Sequence, residues 1–263
     1  MISDSPAVSG SRLADLYATD EVGGWSQGMR RVTLALLEGM PFVQGPFLDL
    51  GCGGGVFVHE LAQERPQSLV LGADLSATAL EYARERGSSE RLIQADGGDL
   101  PLAADSIGLI TALDVFDQRT AEIARSLSEA RRVLRPGGRL ILRVSAHPWL
   151  WGPHDVAYNT GRRWRAHELV GHLQAAGLTV ERTSYANALL SPAIIITRLL
   201  HRWGLSTAGA EESSGWYDQV LRRALAAEAQ WLVHHKFPFG ISFYALARKP
   251  KQAAQPQRME TSL

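Results

Sequence analysis

From residue 46 to residue 144 the chain alternates between two hydrophobic rhythms, and beyond 144 the alternation stops. Short apolar runs bounded by turn residues predict strands at "PFLDLG" (46–51), "SLVLGADLS" (68–76), "RLIQAD" (91–96), "SIGLITALDVF" (106–116) and "RLILRV" (139–144). Between them, apolar residues recur three to four positions apart. "GVFVHELAQER" (55–65), "ATALEYARERG" (77–87) and "TAEIARSLSEARRVL" (120–134) are therefore predicted helices. Ser76 is placed to cap the second. "RPGG" (135–138) stops the third, because proline cannot continue a helix and glycine takes positive φ. A helix over 29–40 precedes the first strand and ends at Gly39 and Pro41.

Strands and helices alternating at this spacing mean parallel strands joined by right-handed crossovers. The predicted class is α/β: a doubly wound, Rossmann-like, seven-stranded sheet, mostly parallel with the last strand antiparallel, carrying helical substrate-cap elements. The ligand of such a sheet sits beyond the carboxyl ends of the strands, where strand order reverses. Asp49 to Gly55, Asp74, Asp96, Asp114 and the segment after Val144 occupy those ends. That last segment, "SAHPWLWGPHDVAYNTGRRWR" (145–165), is a long connection rich in histidine and aromatic residues. A helix (166–177), a strand (178–186), an apolar stretch (188–203), a helix (216–234) and a final strand (239–249) follow.

Composition narrows the partners. With 27 basic and 27 acidic residues the formal net charge is zero, which argues against a nucleic-acid partner held by phosphate contacts. The single cysteine, Cys52, excludes an intramolecular disulfide framework, and no His/Cys/Asp spacing suits a metal. No signal-peptide pattern opens the chain, and its longest apolar run (188–200) is interrupted by Pro192 and Arg198. A cytoplasmic protein with no membrane partner is expected, either monomer or homodimer.

"LDLGCGGG" (48–55) carries the candidate chemistry. The dinucleotide fingerprint G-x-G-x-x-G fails in both registers, at Val56 and at Val58, and no Lys is available for a P-loop before Lys236. What stands instead is Asp49, Gly51, Gly53 and Gly55 in a D-x-G-x-G-x-G pattern. Asp74 ends the second strand, where a carboxylate can accept both hydroxyls of a ribose.

With "IQADGGDLPLAADSIGLITALDVF" (93–116) and "EARRVLRPGGRLIL" (129–142), this pattern resembles the class I S-adenosylmethionine-dependent methyltransferases over about residues 46–145. The resemblance implies S-adenosyl-L-methionine as cofactor. It implies that Asp49, Gly51, Cys52 and Gly53 line the amino-acid end and that Asp74, with Leu75 beside it, holds the ribose. Asp96 would accept the adenine amino group, with Gly97 donating from the backbone, and Asp114 would either line the pocket or cap the next helix. Asp117 and Gln118 stand where the family often carries Glu-His. By the same resemblance residues 1–45 form an N-terminal helical lid, with Tyr17, Trp25 and Arg30 as candidates to close it. Residues 46–248 form the methyltransferase domain, with substrate-binding insertions at about 145–165 and 187–235, and 249–263 read as a disordered tail.

"HPWLWGPHD" (147–155), "GRRW" (161–164), "HEL" (167–169) and "NALLSP" (187–192) resemble a run found in several bacterial members, where a further histidine often replaces Thr160. His147 or His154 is the candidate base, since histidine is poised for proton transfer near neutral pH, and Asp155 is its candidate orienting partner. His154–Asp155 can equally be a structural pair that locks the loop. Trp25, Trp151, Tyr158 and Arg162 are candidate substrate contacts. Arg162 and its neighbours Arg163 and Arg165 would either clamp an anion or form a solvated face. The expected activity is methyl transfer to O, N or C of a small organic metabolite, of natural-product or glycan-related type. An NAD-dependent oxidoreductase and a cofactor-binding protein that does not methylate are the alternatives.

Overall fold

The computed structural model describes residues 23–41, 43–88, 91–119, 121–152, 155–156, 160–202 and 215–251. In chain order the elements are α1 (Gly24–Glu38), β1 (Phe47–Leu50), α2 (Val56–Glu64), β2 (Val70–Asp74), α3 (Ala77–Ala83), β3 (Leu92–Gln94) and β4 (Ile107–Leu113). There follow α4 (Ile123–Val133), β5 (Leu134–Ser145), α5 (Ala166–Ala175), β6 (Thr179–Ala186), α6 (Ser191–Arg202), α7 (Gly215–His234) and β7 (Ser242–Arg248).

The seven strands form one sheet in the order β3-β2-β1-β4-β5-β7-β6. β1 to β5 pair in parallel, and β7 runs antiparallel between β5 and β6. The fold class is the expected one, a mostly parallel seven-stranded sheet with its last strand antiparallel. Strand order reverses between β1 and β4, so the crevice for a ligand opens where these two strands end.

Every residue of β1 is buried, as expected for a central parallel strand covered on both faces. One face packs against α4 and α5 through Leu127, Val133, Leu169 and Leu173. The other packs against α1, α2 and α7 through Met29, Val32, Leu36, Val58, Leu61, Leu225 and Leu232.

Three expectations need correction. Helix α1 starts at Gly24, five residues ahead of its apolar period. Gly28 lies against Leu225 of α7, where a Cβ would collide, so helix contact overrides the poor propensity of glycine. Met29, Val32 and Leu36 are fully buried, so α1 is anchored in the core; residues 1–22, with Tyr17, lie outside the described residues. "RPGG" is not a separate turn, since β5 takes it in through an irregularity that pairs Ile107 with Leu134 and Leu109 with Arg139. Lys249, placed by sequence in the tail, is anchored by Asp105 at 2.6 Å and the Leu134 carbonyl at 2.7 Å.

Candidate functional site

The chain leaves β1 through a turn that only glycine can make comfortably. Gly51 has φ +72° and Gly53 φ +52°, both left-handed. A Cβ on Gly51 would also run into Val115, just beyond the end of β4, so bare backbone at 51 keeps the crevice open. The turn is held from below, with the N–H groups of Gly51 and Cys52 donating to the Ala73 carbonyl at 2.7 and 3.1 Å. Asp49 is buried and accepts a hydrogen bond from Thr111 Oγ1 at 2.5 Å. Cys52 is buried too. Burial first, then the charges of Asp49 and Asp74, raise its pKa, which fits a packing role and not a nucleophile.

Asp74 closes β2 and organises the loop. Its Oδ2 accepts the Gly53 N–H at 2.9 Å and its Oδ1 the Ser76 N–H at 2.9 Å. Ser76 then caps α3 by accepting the Ala79 N–H. A carboxylate offers about four lone-pair directions, so the two left over can take a pair of neighbouring hydroxyls. Leu75 beside it is 59% exposed, an apolar surface next to the carboxylate. Asp96 is differently employed, because it accepts the Gly98 N–H at 2.8 Å and pairs with Arg125 at 3.2 Å. Gly97 sits in the same turn, over Leu50 and Ser126. An adenine amino group at Asp96 would have to share the carboxylate with Arg125.

At the end of β4, Asp114 holds φ +60° and grips Arg143 of β5 through two hydrogen bonds of 2.9 and 2.5 Å. Arg143 lies 5.5 Å beneath the Trp25 ring, which puts the first turn of α1 over the crevice. Asp114 does not cap the next short turn with its side chain. Arg30, the other described lid candidate, faces away and pairs with Glu60 of α2 at 2.9 Å.

Asp117, one turn further on, is almost fully buried. Its Oδ2 accepts the Ser145 N–H at 2.7 Å, and its Oδ1 has no hydrogen-bond partner among the described residues. Burial first, then the charge of Asp114, pushes this carboxyl up to about 8. An unfolded aspartate titrates near 3.9, so between about pH 4 and pH 8 the native form keeps a proton that the unfolded chain has lost. Stability should fall as pH rises through that window. Asp117→Asn abolishes the titration and keeps an oxygen for Ser145. Its melting temperature relative to wild type is expected to rise by several degrees between pH 5 and pH 9, at about 2–4 °C per kcal/mol. A difference that stays constant across that range in calorimetry would show that Asp117 does not titrate there.

The loop after β5 is organised by Asp155. This carboxylate is 1% exposed, takes Arg163 at 2.7 Å and Arg198 of α6 at 3.2 Å, and accepts the Gly152 N–H at 2.9 Å. Burial alone would raise its pKa, but the hydrogen bonds and charge of Arg163 outweigh that and hold it below the usual range. Its oxygens are thus committed to two arginines, which corrects the expectation that Asp155 orients a histidine. His154 and Tyr158 lie outside the described residues.

The arginine cluster does not converge on one anion. Arg163 is buried, whereas Arg162 lies over the Trp164 ring and pairs with Glu168 at 3.1 Å. Of the two readings open for Arg162, this pairing fits the solvated face. Trp164 is itself buried, its Nε1–H donating to the Phe116 carbonyl at 3.2 Å, so it supports the β4 exit from behind. Trp151 stays partly exposed beside this loop.

His147, at φ +62°, packs in a triangle with Tyr185 and Phe239, with ring centroids 5.3 and 4.7 Å away and those two rings 6.2 Å from each other, and Trp149 lies 5.7 Å off. Its Nε2 is 3.1 Å from the Gly240 carbonyl, which fixes the tautomer as Nε2–H and leaves Nδ1 its lone pair. Burial lowers its pKa, so the ring is neutral near pH 7.

A model of the methyltransferase domain matches residues 48–142. An uncharacterized methyltransferase of Synechocystis sp. is 32% identical over 180 residues, covering 65% of this chain and 82% of that protein. The chain belongs to the S-adenosylmethionine-dependent methyltransferases.

A malonyl-[acyl-carrier protein] O-methyltransferase of Alcanivorax borkumensis is 34% identical over 118 residues, 44% of this chain and 39% of that protein. The chain spans half or less of the length of several curated relatives it matches. Among solved structures, the chain is similar to phosphoethanolamine N-methyltransferase 2 of Haemonchus contortus in complex with S-adenosyl-L-methionine. The TM-score is 0.61 at 18% identity, over 95% of this chain and 61% of that one.

The residues of the chain suit the family's cofactor, S-adenosyl-L-methionine. The crevice is floored by backbone where a Cβ would fill it, and Asp74 has lone pairs to spare for a diol. Sequence reasoning missed Arg143 and Asp117. A signal for Arg143 existed, since a charged residue near the end of a strand buried on both faces needs a partner. Among the described residues no helix is long and apolar enough to cross a membrane, and no three His, Cys, Asp or Glu side chains could hold a metal.

Proposed function

We propose that the methyltransferase moves a methyl group from S-adenosyl-L-methionine to O, N or C of a small organic acceptor. The observation that carries this reading is the positive-φ glycine turn ending β1, tied to Asp74 at the point where strand order reverses. Asp49, Gly51, Cys52 and Gly53 would hold the amino-acid end, Asp74 and Leu75 the ribose, and Asp96 and Gly97 the adenine. The cofactor, when bound, supplies a methyl group on a positively charged sulfur, which is already a strong electrophile. The protein has then to seat the acceptor in line and exclude water.

Two features support an acceptor site next to this crevice. Asp114, braced by Arg143, whose guanidinium lies against the Trp25 ring, sets a carboxylate at the exit of β4. His147, Trp149, Tyr185 and Phe239 form an aromatic shelf at the same edge of the sheet, with Trp149 49% and Phe239 39% exposed. Such a shelf suits the flat or apolar face of a small molecule. His147 Nδ1 would receive the proton of an O–H or N–H acceptor. The relatives do not decide the acceptor atom, since one is named for O and another for N.

S-adenosylhomocysteine, the demethylated cofactor, is expected to raise the melting temperature by mass action, whereas NAD should leave it unchanged. The opposite pattern would favour an oxidoreductase. His147→Ala is expected to lower transfer by about 10²–10⁴-fold without loss of S-adenosylhomocysteine affinity. Because burial lowers the His147 pKa, the wild-type rate should hold steady as pH falls to about 6.5 and decline only below it. An unchanged rate in the variant would remove His147 from the reaction. S-adenosylhomocysteine binding without transfer to any hydroxyl or amine acceptor would favour the non-methylating alternative.

A further inference from the structure

The opposite end of the strands carries a second concave surface, remote from the glycine turn. Residues at the start of β4 (Gly108), along the first half of β5 (Arg135 to Arg139) and at the end of β7 (Arg248) enclose a cleft of about 740 Å³ with Pro41, Val43, Gln44 and Lys251. That volume is in the range of small-ligand pockets, roughly 300–1,000 Å³. We propose that this cleft binds a small polyanion of the pyrophosphate class.

The charge of the lining points that way. Arg135, Arg139, Arg248 and Lys251 bring four cations to one cavity. Glu181 of β6 serves two of them at once, at 2.8 Å to Arg139 and 2.6 Å to Arg248. Arg135 and Lys251 have no carboxylate partner among the described residues. The whole chain balances 27 basic against 27 acidic residues, so this excess is local and not a by-product of a basic protein. Like charges gathered in a concave wall repel one another, and a multivalent anion relieves that repulsion. Guanidinium groups fit phosphate oxygens in pairs, which favours a phosphate chain over a single carboxylate. Free pyrophosphate and the polyphosphate of a nucleotide share this chemistry.

Calorimetric titration of the full chain with inorganic pyrophosphate, ATP and sulfate tests the proposal. Pyrophosphate is expected to bind saturably at one site and sulfate at least about tenfold more weakly. ATP binding tighter than pyrophosphate would identify a nucleotide as the source, and equal binding the free polyanion. Combined Arg135→Ala and Lys251→Ala should weaken pyrophosphate at least about tenfold with an unchanged melting temperature. A control pair, Arg223→Ala with Lys236→Ala, removes the same charge elsewhere and should change affinity less than about twofold. No saturable binding, or equal weakening in the control pair, overturns the proposal. Neither result touches the methyltransferase reading, because the glycine turn lies at the other end of the strands.

Discussion

Asp155→Ala is expected to destabilise the fold by about 3–5 kcal/mol, the usual consequence of removing one partner from a buried ion pair. The carboxylate neutralises Arg163, itself buried, and ties α6 to the loop after β5 through Arg198. Without it, the Arg163 guanidinium keeps the Ala146 carbonyl at 2.9 Å, and its charge is left uncompensated in a poorly solvated place. The melting temperature should fall on the order of 10 °C, and the urea midpoint should fall with it. An Asp155 that merely oriented a histidine would behave otherwise: the variant would keep its stability and lose turnover. Denaturant titration beside an activity assay separates the two roles.

The second large effect is on the cofactor. Asp74→Ala should weaken S-adenosylhomocysteine by about 100-fold or more, since hydrogen bonds to a charged group contribute about 1.5–3 kcal/mol each. The loss has two sources. The ribose hydroxyls lose their acceptor, and the Gly53 N–H loses the bond that holds the turn open. Asp74→Asn retains an oxygen for Gly53 and should fall between wild type and Ala. Unchanged affinity in both variants would move the nucleoside away from β2.

These two residues also show how much of the molecule the sequence makes legible. Asp74 could be recognised because its chemistry is local: a strand, an acid, a capping serine and a glycine turn lie within 28 residues of chain, from Asp49 to Ser76. The strands and most helices were legible for the same reason, since period and turn residues are near-neighbour properties. Asp155 was not. Its arginine partners stand 8 and 43 positions away, and nothing in "GPHDV" distinguishes a carboxylate bound for His154 from one bound for Arg163 and Arg198. Asp114 and Arg143 are separated by 29 positions and meet only because β4 and β5 are neighbours. The start of α1 was hidden in another way. Gly24 and Gly28 weaken a helix in isolation, and only the presence of α7 makes them an advantage.

The most direct test of the account is a crystal structure with S-adenosylhomocysteine bound. Both ribose hydroxyls are predicted to lie within about 2.6–3.2 Å of the two Asp74 oxygens, with the amino-acid end over Gly51 and Gly53. A nucleoside seated elsewhere on the sheet, or one that leaves Asp74 bonded only to Gly53 and Ser76, would contradict it.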